Sequence, residues 1–241
     1  MTFPFQISIG SRAISLHIVF EALAYTLAFL LFRILRKRAG DPLGGLDRLM
    51  IVAAAAVGAL VGAKLLHIAN DWRSIIAPGG WIRIFVGGKT VVGGFLGGWA
   101  AVEWWKRRQG ITTRTGDAFA LPLCLGIGVG RIGCFLGGLE DNTYGIPTSL
   151  PIGVDFGDGL PRHPTQAYEI AFALLAGLVI FWRSRRPFPR GFLFHMFMTS
   201  YLAFRLGCDF LKPYDRILGL CAIQWACVAG LVVCFRRRFA A

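Results

Sequence analysis

The sequence predicts an all-α integral membrane protein with about seven transmembrane helices and a small external head formed by loops. Three observations carry that prediction. The 241 residues are 55% hydrophobic and only 16% charged, whereas soluble domains carry about 25% charged residues. Apolar stretches of roughly 20 residues, the length that crosses a bilayer, recur along the whole chain. Basic clusters separate them at regular intervals, which a soluble helical core would not require.

The spans fall near residues 15–35, 48–68, 91–105, 117–137, 165–183, 191–211 and 217–235, within a single transmembrane domain covering 1–241. The first lacks the basic flank and small-residue cleavage site of a signal peptide and is followed by a basic cluster, so it is expected to be retained. The third is short and carries Gly93, Gly94, Gly97 and Gly98. Those glycines fit a tilted, broken or re-entrant segment, or one packed closely through its small residues. Two longer connections, 69–90 and 138–164, are rich in Gly and Pro and form the expected head.

Orientation follows from Lys and Arg. Sixteen basic residues follow spans one, three, five and seven, seven occupy the opposite segments, and three lie within spans. The positive-inside rule places the C-terminus in the cytoplasm and the N-terminus outside. The net charge of +13 therefore reads as topology signal and anionic-lipid contact. It leaves no extended basic, aromatic-rich surface for nucleic acid. All six cysteines lie in apolar spans without a C-x-x-C or Cys/His spacing, so neither a metal nor a cofactor is expected.

Three cations remain inside spans: Lys64, Arg131 and Arg205. Given the topology, all three sit in the outer part of the membrane. A charged residue in hydrocarbon usually faces a cavity, a partner or a functional pathway. Three at one depth point to an anionic ligand, and a guanidinium grips phosphate through two parallel hydrogen bonds. Snorkelling to headgroups, or pairing with Asp209 or Glu140 for folding alone, is the alternative. In "YLAFRLGCDFLK", Tyr201, Arg205, Asp209 and Lys212 share one face of a continuous helix, a polar stripe turned toward the bundle interior. "GIGVGRIG" follows no strand and lacks a ribose-binding acid in a βαβ unit, so it is no dinucleotide fingerprint. In "LPRHPTQAYE", Pro164 suits a first helical turn, placing Gln166, Tyr168 and Glu169 at the outer end of span five.

"GVGRIGCFLGG", a Glu shortly after, "LPRHPTQAYE" and "YLAFRLGCDFLKP", in this order, resemble the bacterial prolipoprotein diacylglyceryl transferases. Their pattern is close to G-R-x-G-N-F-x-N-x-E-x-x-G, then R-H-P-[ST]-Q-x-Y-E, then Y-x-x-x-R-x-x-x-E. The resemblance implies transfer of the diacylglyceryl group of phosphatidylglycerol to the lipobox cysteine of an exported prolipoprotein, with membrane lipids as surroundings. It implies site roles for Arg131, Gly133, Glu169, Tyr201 and Arg205. Glu140 matches the signature acid only after a one-residue shift, and Asp209 replaces a Glu. Cys134 and Gly137 stand where the pattern has Asn, and "DNT" is inserted before Tyr144. Val92 stands where the family has a His before the glycine pair that includes Gly94, a substrate-binding position.

Such a reaction needs an ionised thiol, stabilisation of the leaving phosphate and an aligned glyceryl carbon. Arg131 and Arg205 are assigned to the phosphodiester, with Lys64 or Lys212 auxiliary and Tyr201 on phosphate or glycerol. His163, Glu140 or Asp209 are the candidate bases, unless the cationic site itself ionises the thiol. Two other readings stay open. One is a divergent paralogue acting on another acceptor, and the other is a non-catalytic phospholipid-binding or transport protein.

Overall fold

The computed structural model describes residues 3–9, 12–40, 43–82 and 88–239. Arg83, counted above among the outer basic residues, lies outside these. So do the side chains of Arg12, Arg237 and Arg238. Seven long helices dominate: α1 Leu16–Ala39, α2 Gly45–Asn70, α3 Val91–Arg108, α4 Asp117–Gly137, α5 Thr165–Ser184, α6 Phe192–Cys208 and α7 Ala222–Phe239. Among the described residues, sheet is limited to two hairpins, β1 Gln6–Ile9 with β2 Arg12–Ser15, and β3 Val154–Asp155 with β4 Pro161–Arg162. The protein is an all-α membrane protein. Among the described residues, four stretches are long and apolar enough to cross a bilayer: Leu16–Arg38, Gly45–Asn70, Asp117–Asp141 and Thr165–Ser184.

Local chemistry sets the helix ends. The Ser15 hydroxyl accepts from His17 N–H at 3.3 Å and starts α1. The same helix closes with Arg36, Lys37 and Arg38 in its last turn and Gly40 at φ 64, cations and glycine both suiting a C-terminus. Gln224 accepts from Cys221 N–H at 2.9 Å at the start of α7, half of a capping box. Its amide nitrogen donates to the Leu206 carbonyl at 2.9 Å.

The described residues form two compact units. One comprises Met1–Gly40, Thr115–Ser200 and Phe210–Pro213. Here α4 packs against both α1 and α5. A Cβ on Gly133 would lie 2.7 Å from Phe20 Cβ and 3.2 Å from the His17 carbonyl, so glycine lets α4 approach the first turn of α1. Asp117 accepts from the backbone N–H groups of Gly191 and Phe194, tying the start of α4 to the start of α6. Phe3, Phe135 and Phe156 pack edge to face beneath the loops, at centroid separations of 5.2–5.8 Å.

The other unit comprises Asp41–Arg114, Tyr201–Asp209 and Tyr214–Ala241. Here α3 is an unbroken helix pressed against α2. A Cβ on Gly62 would collide with the Gly93 carbonyl, and one on Gly58 would lie 2.5 Å from that of Gly97. The third-span glycines thus serve close helix packing.

Candidate active site

In the first unit, the start of α5 meets the end of α4 around one carboxylate. Glu169 is fully buried and accepts from Arg131 Nε at 2.9 Å and from Lys212 Nζ at 3.2 Å. Arg131 and Lys212 are 7% and 2% exposed. Two cations thus converge on one carboxylate in a poorly screened setting, where a charged group acts strongly on an anion. Lys212 does not extend the helical stripe expected of span six. The helix ends at Cys208, a 3₁₀ turn covers Asp209–Leu211, and Lys212 follows. Pro213 disfavours helical backbone at Lys212, which explains the correction.

Beside Arg131 lies a second group of side chains. An Arg131 terminal nitrogen donates to Cys134 Sγ at 3.4 Å. Donor atoms of Cys134, His17 and Asp141 lie within 4.8 Å of one another. A guanidinium already on the sulfur opposes a second cation there, so the trio is poorly suited to a metal. His17 Nδ1 stands 3.1 Å from Asp141 Oδ1, at ion-pair distance but outside hydrogen-bond alignment. The other Asp141 oxygen accepts from the Thr143 hydroxyl, and the Thr143 carbonyl accepts from the buried Thr165 hydroxyl. The inserted "DNT" therefore ties the end of α4 to the start of α5.

His163 is half-buried, with Nδ1 3.0 Å from the Tyr168 hydroxyl. The Gln166 amide is fully buried, and neither its oxygen nor its nitrogen meets a hydrogen-bond partner among the described residues. Glu140 is exposed, while the adjacent Asp141 turns into the group just described. In the loop above, Arg162 Nε donates to Asp158 at 2.9 Å, and this bond holds the Asp158 carboxyl below its ordinary range.

In the second unit, Arg205 makes a bidentate pair with Asp209. Its terminal nitrogen donates to the two carboxylate oxygens at 2.8 and 3.0 Å, and Nε adds a bond at 3.1 Å. Another terminal nitrogen donates to the Tyr201 hydroxyl at 3.3 Å. All three side chains are essentially buried, and Phe95 packs edge to face on Tyr201 at 5.1 Å. Lys64 is half-buried in α2, and Gly94 faces Ala59 and Ala63 of the same helix at van der Waals distance.

Sequence reasoning passed over His17 and Asp141. The signal was available: a His just inside the start of one span, and an acid just past the end of an antiparallel one. It was hidden because the acid sits in a segment read only as an insertion.

The sequence model of one protein family, described as prolipoprotein diacylglyceryl transferase, matches residues 4–236. The phosphatidylglycerol–prolipoprotein diacylglyceryl transferase of Nitrosomonas europaea is 35% identical over 92% of this chain and 84% of its own. That of Bordetella avium is 32% identical over 91% and 85%. That of Pseudomonas aeruginosa is 32% identical over 83% and 76%. Matches of this extent reach across both units and all seven long helices, so the chain belongs to the prolipoprotein diacylglyceryl transferase family.

Proposed function

We propose that the protein transfers the diacylglyceryl group of phosphatidylglycerol to the lipobox cysteine thiol of exported prolipoproteins, the first step of bacterial lipoprotein lipidation. A thioether forms at the glyceryl carbon, its bond to the phosphate oxygen breaks, and glycerol phosphate leaves. The relatives' names support this donor and acceptor. The observation that carries it is the buried Arg131–Glu169–Lys212 cluster, two cations on one carboxylate. Such a cluster binds a phosphodiester and opposes the charge that builds on the leaving oxygen. No cofactor is needed for a displacement of this kind.

Arg131 and Arg205 serve the phosphodiester in this reading. Glu169, Asp209 and Tyr201 hold the two guanidinium groups in place. Lys212 and Lys64 add positive charge, Gly133 permits the close approach of α4 to α1, and Gly94 is a substrate-binding position. Seven helices span the inner membrane, with the N-terminus and the loops 69–90 and 138–164 periplasmic and the C-terminus cytoplasmic. The basic residues after α1, α3, α5 and α7 support that orientation.

The test is incubation of the purified protein with phosphatidylglycerol and a lipobox peptide containing cysteine. The expected product is a peptide heavier by one diacylglyceryl group. An unmodified peptide with bound but intact lipid would instead support a lipid-binding protein.

A further inference from the structure

The geometry points to His17, oriented by Asp141, as the group that takes the proton from the acceptor thiol; this rests on the transferase reading above. A thiol attacks as the thiolate, so the site needs either a base or an ionised nucleophile. His17 sits in the first turn of α1, which meets the end of α4 at Gly133. Its Nδ1 is shielded from solvent and faces Asp141 at 3.1 Å, while the side chain as a whole is 32% exposed. The exposed part of the side chain therefore excludes Nδ1. The charged groups facing the ring are Asp141 and, at 3.8 Å from Nε2, Glu21 of the same helix. Cys134, which accepts from Arg131, is the other titratable group beside it.

Three further features fit a built dyad. Thr143 holds the far oxygen of Asp141, and Thr165 holds Thr143, so the carboxylate is fixed from α5. A Cβ on Gly137 would lie 3.3 Å from Asp141 Cβ and 3.7 Å from His17 Cβ, so a longer side chain there would displace the pair. Cys134 Sγ lies 3.4 Å from Arg131 and within 4.8 Å of an imidazole nitrogen, so a sulfur is already accommodated beside both. An imidazole steadied by a carboxylate on one nitrogen accepts a proton on the other. Such bonds are often misaligned without substrate and tighten with it.

In the step, the thiol proton passes to His17 Nε2 and the sulfur lone pair forms the bond to the glyceryl carbon. The carbon–oxygen bond to phosphate breaks with its electron pair on the oxygen. The Asp141 carboxylate steadies the imidazolium and stays ionised.

The experiment compares wild type, His17→Gln, Asp141→Asn and Arg131→Ala with phosphatidylglycerol and two lipobox peptides. One peptide carries cysteine, the other selenocysteine, whose selenol is already ionised at neutral pH. With cysteine, His17→Gln is expected to lose about 10²–10⁴-fold in kcat/KM, and to recover most of it with selenocysteine. Arg131→Ala is expected to fail with both. Asp141→Asn is expected to lose activity with cysteine and, like His17→Gln, to recover most of it with selenocysteine. Equal loss with both peptides, no loss with either, or inhibition by a chelator reversed by zinc would overturn the assignment. An inactive wild type would sink the transferase reading and this inference with it; an active wild type with unaffected His17→Gln would sink only the inference.

Discussion

Arg131 and Glu169, 38 residues apart in sequence, meet through a charge-assisted hydrogen bond of 2.9 Å from Nε to Oε2, with Glu169 fully buried. Lys212 holds the other oxygen of the same carboxylate. The bond therefore fixes the end of α4 to the start of α5 and also decides how much positive charge the cluster presents.

Removing the shared carboxylate takes from two buried cations a hydrogen-bonded counter-ion. Glu169→Ala is expected to destabilise the protein by about 3–5 kcal/mol, the range for breaking a buried pair. Thermal unfolding in detergent checks this, and an unchanged midpoint would contradict it.

Arg205 differs because its partner is bidentate and lies in the turn that directly follows its own helix. Arg205→Lys keeps the charge but loses the planar fork, so it is expected to lower turnover without restoring the pair to Asp209. Lipid turnover at saturating phosphatidylglycerol measures it; a wild-type rate would assign Arg205 no more than a point charge.

Gln166 has a buried amide without a partner among the described residues. Leaving such a group unsatisfied costs about 1–3 kcal/mol. Gln166→Met keeps the bulk and removes the polar atoms. It is expected to match or exceed the wild type in thermal stability while raising KM for phosphatidylglycerol. A stability loss with unchanged KM would make the amide purely structural.

Close packing of α2 on α3 depends on Gly62, where an added Cβ would meet the Gly93 carbonyl. Gly62→Val is expected to cost about 1–3 kcal/mol through overpacking. Denaturation of the detergent-solubilised variant checks it.

The loop carboxylate Asp158 is held ionised by Arg162. A depressed folded-state pKa means that its contribution is present above the ordinary value of 3.8 and is lost as pH falls through the folded value. Arg162→Ala is expected to raise the Asp158 titration midpoint, read by carbon NMR at its carboxyl.

Much of this was legible in the sequence, for identifiable reasons. The all-α membrane class follows from composition, and the intramembrane Arg131 and Arg205 announce themselves because charge is costly in hydrocarbon. Pairings were less legible. Arg205 with Asp209 follows from helical spacing, but Arg131 with Glu169 needs two helices to meet, and spacing along one cannot show that. Lys212 was misplaced on the stripe because Pro213 ends helical backbone before it. The contact of His17 with Asp141 depends on two glycines, Gly133 and Gly137, whose missing side chains leave no mark in a hydropathy pattern.

The most direct test of the central claim, the proposed need for each buried arginine in phosphodiester cleavage, is the rate of glycerol phosphate release by wild type, Arg131→Ala and Arg205→Ala. Each variant is expected to be slower by about 10²–10³-fold, the cost of removing one electrostatic stabiliser of a developing oxyanion. Release at the wild-type rate by either variant would contradict the account.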